Sequence, residues 1–580
     1  MMGGRVVRAP GNQLVEQPWR LLAIVALLVA YAIIVAGKLI HIQIFQHDYY
    51  LALANEEHYS QRRLAPPRGA ILTSDGAPLA VSVQYETLYA DTKLMADQAK
   101  VARLLAPVLG ESQSGLEAKL AVASDQPLLL KRYMPSELAD RVRALHLLNV
   151  YFETEPRRLH PEGGLGSQLV GFVGRDYAGL AGLEMSWNDD MQGRSGSVQS
   201  EIDTAGDEIA LGLRNYMAPV GGADVVTNVD RFVQRLIERE LEAAMQDHSA
   251  DSGTIIVMDP RSGAILGMAS RPSYSLDDPG FLVPDKEPLY RSPAVSDIYE
   301  PGSVFKVVTM SAGIDSGAVD PNETYDDEGY VVDGEVVIRN WNGLGLGPGT
   351  TMTQVLQRSL NTGSCYVARK LGADRFYGYL RAFGFGTATG VDLPGEAAGL
   401  VRDANAGGWS RSDLLTNSFG QGIAVTPLQM ARAVAVVANE GRLMQPQVAR
   451  EVRSPEGTRR IAPQTVRQVI SPATARIVTD MLVNAVDNSV VGLAKLQGYR
   501  VAGKSGTAEI LVNGRYSQED TVASFVGFAP ADAPRFLVLV AITRPKDNIW
   551  GEAVAAPIFS TIMHDLLNHA GIPPLVVATQ

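Results

Sequence analysis

The sequence predicts an α+β fold: a sheet covered by helices on its faces, preceded by an elongated mixed α/β region and by one transmembrane helix. Three observations predict it. An uncharged apolar run lies near the N-terminus, strand-like runs occur at both ends of the C-terminal half, and helical patterns lie between those runs. Strands at both ends of a domain indicate one sheet assembled from the two ends. A chain of 580 residues is expected to form two or three domains.

The first predicted element is a membrane-spanning helix over residues 21–44. Leu21–Gly37 carries no charge, and apolar residues resume after Lys38. A helix of this length approaches the thickness of the bilayer core. Ala30-Tyr-Ala32 also resembles a signal-peptide cleavage site, but the apolar stretch continues beyond it, which favours an uncleaved anchor. Arginines at positions 5, 8 and 20 precede the span. The positive-inside rule therefore predicts that the tail, residues 1–20, is cytoplasmic and that the rest of the chain is exported.

A mixed α/β domain is predicted over residues 45–248. Ser74-Asp75-Gly76 separates two apolar runs and predicts a β-hairpin. A helical stretch follows from Met95 to Leu105, and Phe232–Met245 has the pattern of an amphipathic helix. No cluster of catalytic residue types is apparent in this region, which indicates a non-catalytic domain.

The last domain is predicted over residues 249–573. Two β-prone runs flank Pro260-Arg-Ser-Gly263 and predict a hairpin. Helical patterns dominate residues 305–439, strand signals return over 500–512, 523–528 and 535–543, and residues 555–568 predict a closing helix. This order brings residues that are distant in sequence around one cleft.

Composition excludes several classes of function. A net charge of −12 offers no basic stripe for general nucleic-acid binding. The single cysteine, Cys365, excludes intrachain disulfides and cysteine metal clusters, no zinc-ligand spacing occurs, and the acidic run Asp326-Asp-Glu328 lacks calcium-loop spacing. Gly498–Ser505 matches the letters of a phosphate loop, but the residues around it are strand-prone. We therefore expect no metal and no cofactor.

The candidate nucleophile is Ser303, in Tyr299-Glu-Pro-Gly-Ser-Val-Phe-Lys306. Residues three apart on a helix share a face, so Lys306 can act on the Ser303 hydroxyl. Pro301-Gly302 is a plausible helix start, which places Ser303 in the first turn, where free N–H groups favour an oxyanion. Burial among apolar neighbours would lower the lysine pKa. No histidine occurs between His248 and His564, which favours lysine as the base.

Two further clusters lie in the same predicted domain. Ser359-Leu-Asn361 falls in a polar break between helical stretches, where a hydroxyl and an amide can relay a proton and hold a substrate amide. Lys504-Ser505-Gly506-Thr507 lies on a strand-like run. A lysine and two hydroxyls beside a glycine can bind a carboxylate while an extended peptide approaches the backbone.

In this order the three clusters resemble the Ser-x-x-Lys, Ser-x-Asn and Lys-Thr/Ser-Gly motifs of the class B penicillin-binding proteins. Ser418–Gln429, Ser524–Pro530, Pro67–Leu72 and Gly179–Glu184 are also similar to segments of that family. Leu360 and Ser505 depart mildly from the family pattern without removing a required group. The resemblance implies a penicillin-binding transpeptidase fold, an antiparallel sheet covered by helices on both faces, on a non-catalytic pedestal of the dimerisation type.

The resemblance further implies a peptidoglycan D,D-transpeptidase inhibited by β-lactams. Ser303 would be acylated by a D-Ala-D-Ala stem peptide, Lys306 would be the base, and Ser359 and Asn361 would relay a proton and position the substrate. Lys504, Ser505 and Thr507 would bind the terminal carboxylate beside Gly506. The N–H groups of Ser303 and Thr507 would form the oxyanion hole.

Partners implied by the resemblance are lipid-linked glycan strands and a SEDS-type glycosyltransferase of the FtsW/RodA kind, with other divisome or elongasome membrane proteins. The opening of the pedestal, from Tyr49 to Gly69, resembles the division type more than the elongation type. A carboxypeptidase or β-lactamase-like hydrolase, and a penicillin-binding sensor or scaffold, remain the alternative functions.

Overall fold

The structure is a computed structural model. It describes residues 18–575 except 123, 125, 203–208, 210, 211, 277–287, 405, 406 and 490, so the predicted cytoplasmic tail lies outside the described residues up to position 17. The chain divides into two compact units. The first holds the chain up to Ala65 together with Ser195–Pro219, and the second holds Pro66–Arg194 together with the chain from Val220 onwards. The domain boundaries proposed from the sequence stay predictions.

The first unit contains the apolar helix. Pro18–Ile40 is an α-helix that continues as one wider π-helical turn, His41–Phe45, before the helix His47–His58. The segment Trp19–Phe45, which includes the π-helical turn, is long and apolar enough to cross a membrane, with a mean hydropathy of 2.5. The same unit contains an antiparallel three-stranded sheet in the order Tyr59–Leu64, Gly196–Glu201, Arg214–Met217.

The second unit begins with the predicted hairpin, which is confirmed: Ile71–Leu72 pairs antiparallel with Pro78–Ala90. Pro78–Ala90 also pairs with Leu128–Met134 and with Val150–Leu159. Short helices accompany these strands: Gln98–Leu109, Gln113–Leu120, Ser136–Arg143, Ser167–Val170, Gly182–Ser186 and Asn188–Met191. Leu88, Leu105 and Leu116 form part of one buried cluster between the first two of these helices and the sheet.

This sheet extends further than the sequence predicts. Ile71–Leu72 pairs in parallel with Asp224–Thr227, which pairs antiparallel with Ala449–Ser454, and that strand pairs with Gly457–Arg460. The result is a seven-stranded sheet to which two segments more than 200 residues apart contribute neighbouring strands. Nothing in the local pattern of residues 449–460 indicates this pairing.

A second sheet forms the core of the C-terminal part. Its five antiparallel strands follow the order Ile265–Arg271, Ser252–Met258, Phe536–Thr543, Arg515–Ala529, Ala502–Val512. The predicted assembly from two ends of the domain is therefore confirmed. Asn513-Gly514 forms the turn between the last two of these strands, because Val512 pairs with Arg515.

Helices cover both faces of this sheet. Alternate residues of Phe536–Thr543 point to opposite faces, so Leu537 and Leu539 join one buried cluster and Val538 and Val540 join another. The second cluster includes residues of Arg231–Asp247 and Gly551–His569. The remaining helices are Pro293–Ser296, Lys306–Asp315, Met352–Gln357, Asn361–Leu371, Ala373–Ala382, Arg411–Asn417, Pro427–Ala438 and Pro472–Asp487.

The prediction of a helical middle was incomplete. Residues 305–439 also contain two small antiparallel pairs, Thr324–Asp327 with Gly347–Thr351 and Tyr330–Asp333 with Val336–Arg339. A further pair, Arg442–Met444 with Thr465–Gln468, follows. These strands are three to five residues long, too short to carry a clear periodic signal.

Candidate functional site

Ser303 lies in a tight turn that opens a buried helix. Gly302–Phe305 forms one 3-10 turn, and the α-helix Lys306–Asp315 continues from it. Gly302 has φ +59°, and a Cβ there would lie 3.0 Å from the Cβ of Ala508. The glycine therefore lets the turn lie against the strand Ala502–Val512. Ser303 sits in the first turn, as predicted, but the Ser303 hydroxyl has no hydrogen-bond partner in the described part of the chain.

Ser359 and Asn361 lie between two helices. Met352–Gln357 ends just before Ser359, and Asn361 begins the next helix. Ser359 has φ +55°, a left-handed backbone conformation that is uncommon for a residue with a side chain. The Asn361 Nδ2 donates to the carbonyl of Arg339 at 2.8 Å, which fixes the orientation of the amide. The Asn361 Oδ1 is consequently presented to Lys306.

All the hydrogen bonds that the structure describes for the Lys306 amino group go to Ser359 and Asn361. Its Nζ donates to the Ser359 carbonyl at 2.7 Å, to the Ser359 Oγ at 3.2 Å and to the Asn361 Oδ1 at 2.8 Å. The side chain is buried, with 1% of its surface exposed. Three acceptors match the three N–H donors of an ammonium group. Lys306 is therefore fixed in place next to the turn that carries Ser303.

Lys504 approaches the same hydroxyl from the sheet. Its Nζ donates to the Ser359 Oγ at 3.1 Å and to the Ser505 carbonyl at 2.8 Å. The Ser359 Oγ thus accepts a hydrogen bond from each lysine, and the two amino groups share one small polar centre. In the described ranges, neither lysine has a carboxylate within salt-bridge distance.

Burial changes the proton affinity of both lysines. Loss of hydration holds the pKa of Lys306 well below its usual value, and the nearby positive charge of Lys504 lowers it further. Burial also lowers the pKa of Lys504 to about 8. A lowered pKa makes it easier for Lys306 to lose its proton, which a lysine must do before it can act as a base.

Gly506 and Thr507 complete the third cluster. A Cβ on Gly506 would lie 2.6 Å from the Ser524 Oγ and 2.9 Å from Val304, so only glycine permits this contact between the strand and the Ser303 turn. The Thr507 Oγ1 accepts from the N–H of Gly551 at 3.0 Å, which leaves its own O–H free to donate. Ser505 is partly buried.

The structure brings together all the segments that carry the predicted site residues. Lys306, Ser359, Asn361 and Lys504 are joined directly by hydrogen bonds, while Ser303 and Thr507 lie on the adjoining turn and strand. Among the described residues, no group of His, Cys, Asp or Glu is arranged to hold a metal ion.

Sequence reasoning missed the neighbours that support the Ser303 turn. The Gly302 N–H donates to the Gly420 carbonyl at 3.1 Å, and a Cβ on Gly420 would lie 2.3 Å from the Gly302 oxygen. The Glu300 carboxylate accepts from the Gly422 N–H and from the Tyr516 hydroxyl, both at 3.1 Å. The glycine pair 420 and 422 was a usable signal of a close backbone approach.

Comparisons with known proteins agree with this architecture. The family described as penicillin binding protein transpeptidase domain matches residues 253–564, and the penicillin-binding protein dimerisation domain matches residues 63–227. The chain is 33% identical over 563 residues to stage V sporulation protein D of Bacillus subtilis, covering 96% of this chain and 86% of that protein. It is 31% identical over 555 residues to the probable peptidoglycan D,D-transpeptidase PenA of Neisseria meningitidis serogroup A, covering 94% and 92%.

A solved structure shows the same fold. Penicillin binding protein 3 of Mycobacterium tuberculosis, complexed with aztreonam, superposes with a TM-score of 0.69 at 26% identity, covering 90% of this chain and 100% of that chain. The matched domains, the full-length relatives and the three clustered motifs lead to one conclusion: the chain belongs to the class B penicillin-binding proteins and carries the enzymatic transpeptidase domain of that family.

Proposed function

We propose that the protein is a membrane-anchored peptidoglycan D,D-transpeptidase with Ser303 as its nucleophile. The Ser303 Oγ attacks the carbonyl of the penultimate D-alanine of a stem peptide, the peptide bond breaks, and the terminal D-alanine leaves as a free amine. The amine of a neighbouring stem then attacks the resulting ester. A new peptide bond forms, Ser303 is released, and the two stems are cross-linked.

The observation that carries this proposal is the shared Ser359 hydroxyl. Because Lys306 and Lys504 both donate to the Ser359 Oγ, at 3.2 and 3.1 Å, the three motifs form one proton-transfer centre. Lys306, whose pKa is lowered by burial, takes the proton of Ser303. Ser359 relays a proton to the departing amine, and Asn361 holds Lys306 and the substrate amide in place.

Binding of the donor follows from the strand Ala502–Val512. Lys504, with the hydroxyls of Ser505 and Thr507, holds the terminal carboxylate by charge-assisted hydrogen bonds. The N–H groups of Ser303 and Thr507 form the oxyanion hole, where one donor contributes about 3 kcal/mol to the stabilisation of the transition state. Gly506 permits the close approach of strand and turn. β-Lactams, which mimic the D-Ala-D-Ala terminus, acylate the same serine.

The names of the relatives support the reaction type. PenA is named a probable peptidoglycan D,D-transpeptidase, and the Mycobacterium tuberculosis protein was solved with the β-lactam aztreonam. The direct test is labelling with a fluorescent penicillin. We expect the wild-type protein to be labelled covalently and the Ser303→Ala protein to remain unlabelled, with thermal unfolding as the check that the variant is folded. Labelling of folded Ser303→Ala would overturn the proposal.

Membrane placement and cellular role are part of the proposal. The helix Trp19–Phe45 anchors the chain with its N-terminus in the cytoplasm, and the transpeptidase domain lies outside. We place the enzyme in division beside a SEDS-type glycosyltransferase, on the resemblance of the segment from Tyr49 to Gly69. A fluorescent fusion should localise to midcell; localisation along the side wall would favour elongation instead.

A further inference from the structure

Two carboxylates lie close to the Ser303 turn, one just before it in sequence and one on the strand against which the turn packs. Glu300 directly precedes Pro301, and Glu509 lies on the strand Ala502–Val512, two residues beyond Thr507. Glu300 accepts hydrogen bonds from the Gly422 N–H and the Tyr516 hydroxyl. In the part of the chain that the structure describes, neither carboxylate has a lysine, arginine or histidine within salt-bridge distance.

Both carboxyl groups are partly buried without a positive partner. Burial raises the pKa of Glu300, and the negative charge of Glu509 adds to the rise although two hydrogen bonds oppose it. Burial also raises the pKa of Glu509, opposed by the Gln421 amide. Two such groups at one place form an unbalanced negative region that a bound cation would neutralise.

The edge of the sheet supplies an independent reason to expect a ligand here. Ala502–Val512 is the last strand of the five-stranded sheet, and no other strand of the described residues pairs with its outer side. An extended peptide can add to an open strand edge by pairing with its free backbone groups, and a glycine in that strand lets the other backbone come close. The Ser303 turn lies against this strand at Gly506 and Ala508.

The direction of a bound donor follows from the proposed function, on which this inference rests. The terminal carboxylate lies at Lys504 and the scissile carbonyl at the N–H groups of Ser303 and Thr507. The residues that precede the scissile bond therefore extend along the strand past Thr507. The residue before D-Ala-D-Ala begins one strand step, roughly 3.4 Å, past the penultimate D-Ala. Its side chain extends from there towards Glu509, which lies about 7 Å along the strand from Thr507.

We propose that Glu509 and Glu300 select donor stems in which the residue before D-Ala-D-Ala carries a side-chain ammonium. Glu509 pairs with the ammonium as the donor strand docks. Glu300, held by Gly422 and Tyr516, contributes a second negative charge, and no covalent bond forms in this recognition. Neutral side chains bind without this attraction, and anionic side chains are repelled.

The test uses three peptides that differ only in the residue before D-Ala. They carry lysine, norleucine or glutamate, each followed by D-Ala-D-lactate. Acylation of the full-length protein in detergent is followed by intact mass, with the protein in excess over the peptide. We expect wild-type protein to react with the lysine peptide about fivefold faster than with the norleucine peptide, the size of a partly screened ion pair. The glutamate peptide should be the slowest. Excess protein leaves little free lysine peptide to attack the acyl-enzyme, so the lysine ammonium is tested as part of the donor and not as an acceptor.

Variants decide whether the carboxylates cause the preference. Glu509→Gln should reduce the lysine-to-norleucine ratio to about twofold or less, and Glu300→Gln should reduce it by a smaller factor. The ratio within one variant does not depend on the fraction of folded protein. Glu519→Gln, an exposed change on the neighbouring strand, should keep the wild-type ratio. Equal wild-type rates, or an unchanged ratio in Glu509→Gln, would overturn the inference. Failure of all three peptides to acylate Ser303 would instead remove the proposed function and this inference with it.

Discussion

Buried cationic side chains occur in two regions of the molecule, and the two regions differ in the groups that these side chains bond. In the mixed α/β region, Glu184 lies between two arginines: Arg68 Nε donates to it at 2.6 Å and Arg158 Nε at 2.7 Å. At the transpeptidase site, Lys306 and Lys504 share the neutral Ser359 hydroxyl. The first arrangement pairs positive charge with a directly bonded carboxylate. In the second, no described carboxylate lies within salt-bridge distance of either lysine.

The difference separates a structural role from a chemical one. Burial lowers the pKa of Arg158, but Glu184 opposes the change, and an arginine side chain stays protonated in proteins. Burial lowers the pKa of Lys306 with no carboxylate to oppose it, and the charge of Lys504 acts in the same direction. A lysine that can lose its proton is useful as a base, whereas a permanently charged arginine pair fixes the segments around residues 68, 158 and 184 in place.

The largest expected effect comes from replacing Lys306, the proposed base. Lys306→Ala should slow acylation by a fluorescent penicillin about 10²- to 10⁴-fold, the usual contribution of general base catalysis. Thermal stability should be unchanged or higher, because burying this amino group costs hydration. Rapid-quench labelling and thermal unfolding measure the two quantities.

The exposed change Lys495→Ala is the matched control. If Lys306→Ala loses less than about tenfold in rate, Lys306 is not the base.

The next effect concerns the compensated region. Glu184→Gln leaves two buried guanidinium groups without their carboxylate, which should cost about 3–5 kcal/mol in local stability. Native-state hydrogen exchange at the backbone amides near Ile71 measures the opening free energy. Glu137→Gln, an exposed change in the helix Ser136–Arg143, should alter it by less than about 0.5 kcal/mol. The proposed structural role of Glu184 would be wrong if Glu184→Gln changed the opening free energy no more than Glu137→Gln does but slowed acylation.

The smallest effect is a change of pH profile. The pKa of Lys504 is lowered to about 8, so its positive charge is present below that pH and is lost as the pH rises through it. The second-order acylation rate constant of the wild type should therefore fall about tenfold towards pH 9.

Lys504→Arg should react more slowly at pH 7 but lose less than about twofold by pH 9, because arginine stays charged. Fluorescent-penicillin labelling from pH 5.5 to 9.5 measures both profiles. An equally steep decline in Lys504→Arg would assign the alkaline limb to another group.

Sequence patterns were informative where the relevant residues are close together or strongly periodic. The spacing of Ser303 and Lys306 predicts their common helical segment, and long apolar runs predict Phe536–Thr543 and Gly551–His569. The hydrogen bond between Lys504 and Ser359 depends on the order of strands in the sheet. Only the family resemblance, and no local pattern, predicted that these two residues meet. The Arg68–Glu184 bond joins residues 116 apart, and no local pattern indicates it. Short strands such as Tyr330–Asp333 were not predicted for the same reason: their pairing, not their composition, defines them.

The seven-stranded sheet also determines how the chain can be shortened. Asp224–Thr227 falls within the match to the dimerisation domain, and Ala449–Ser454 falls within the match to the transpeptidase domain. A protein that began at Gly253 would keep every catalytic motif but would expose one backbone edge of Ala449–Ser454. Unpaired strand edges recruit other chains, so we expect such a fragment to aggregate unless residues 224–227 are retained.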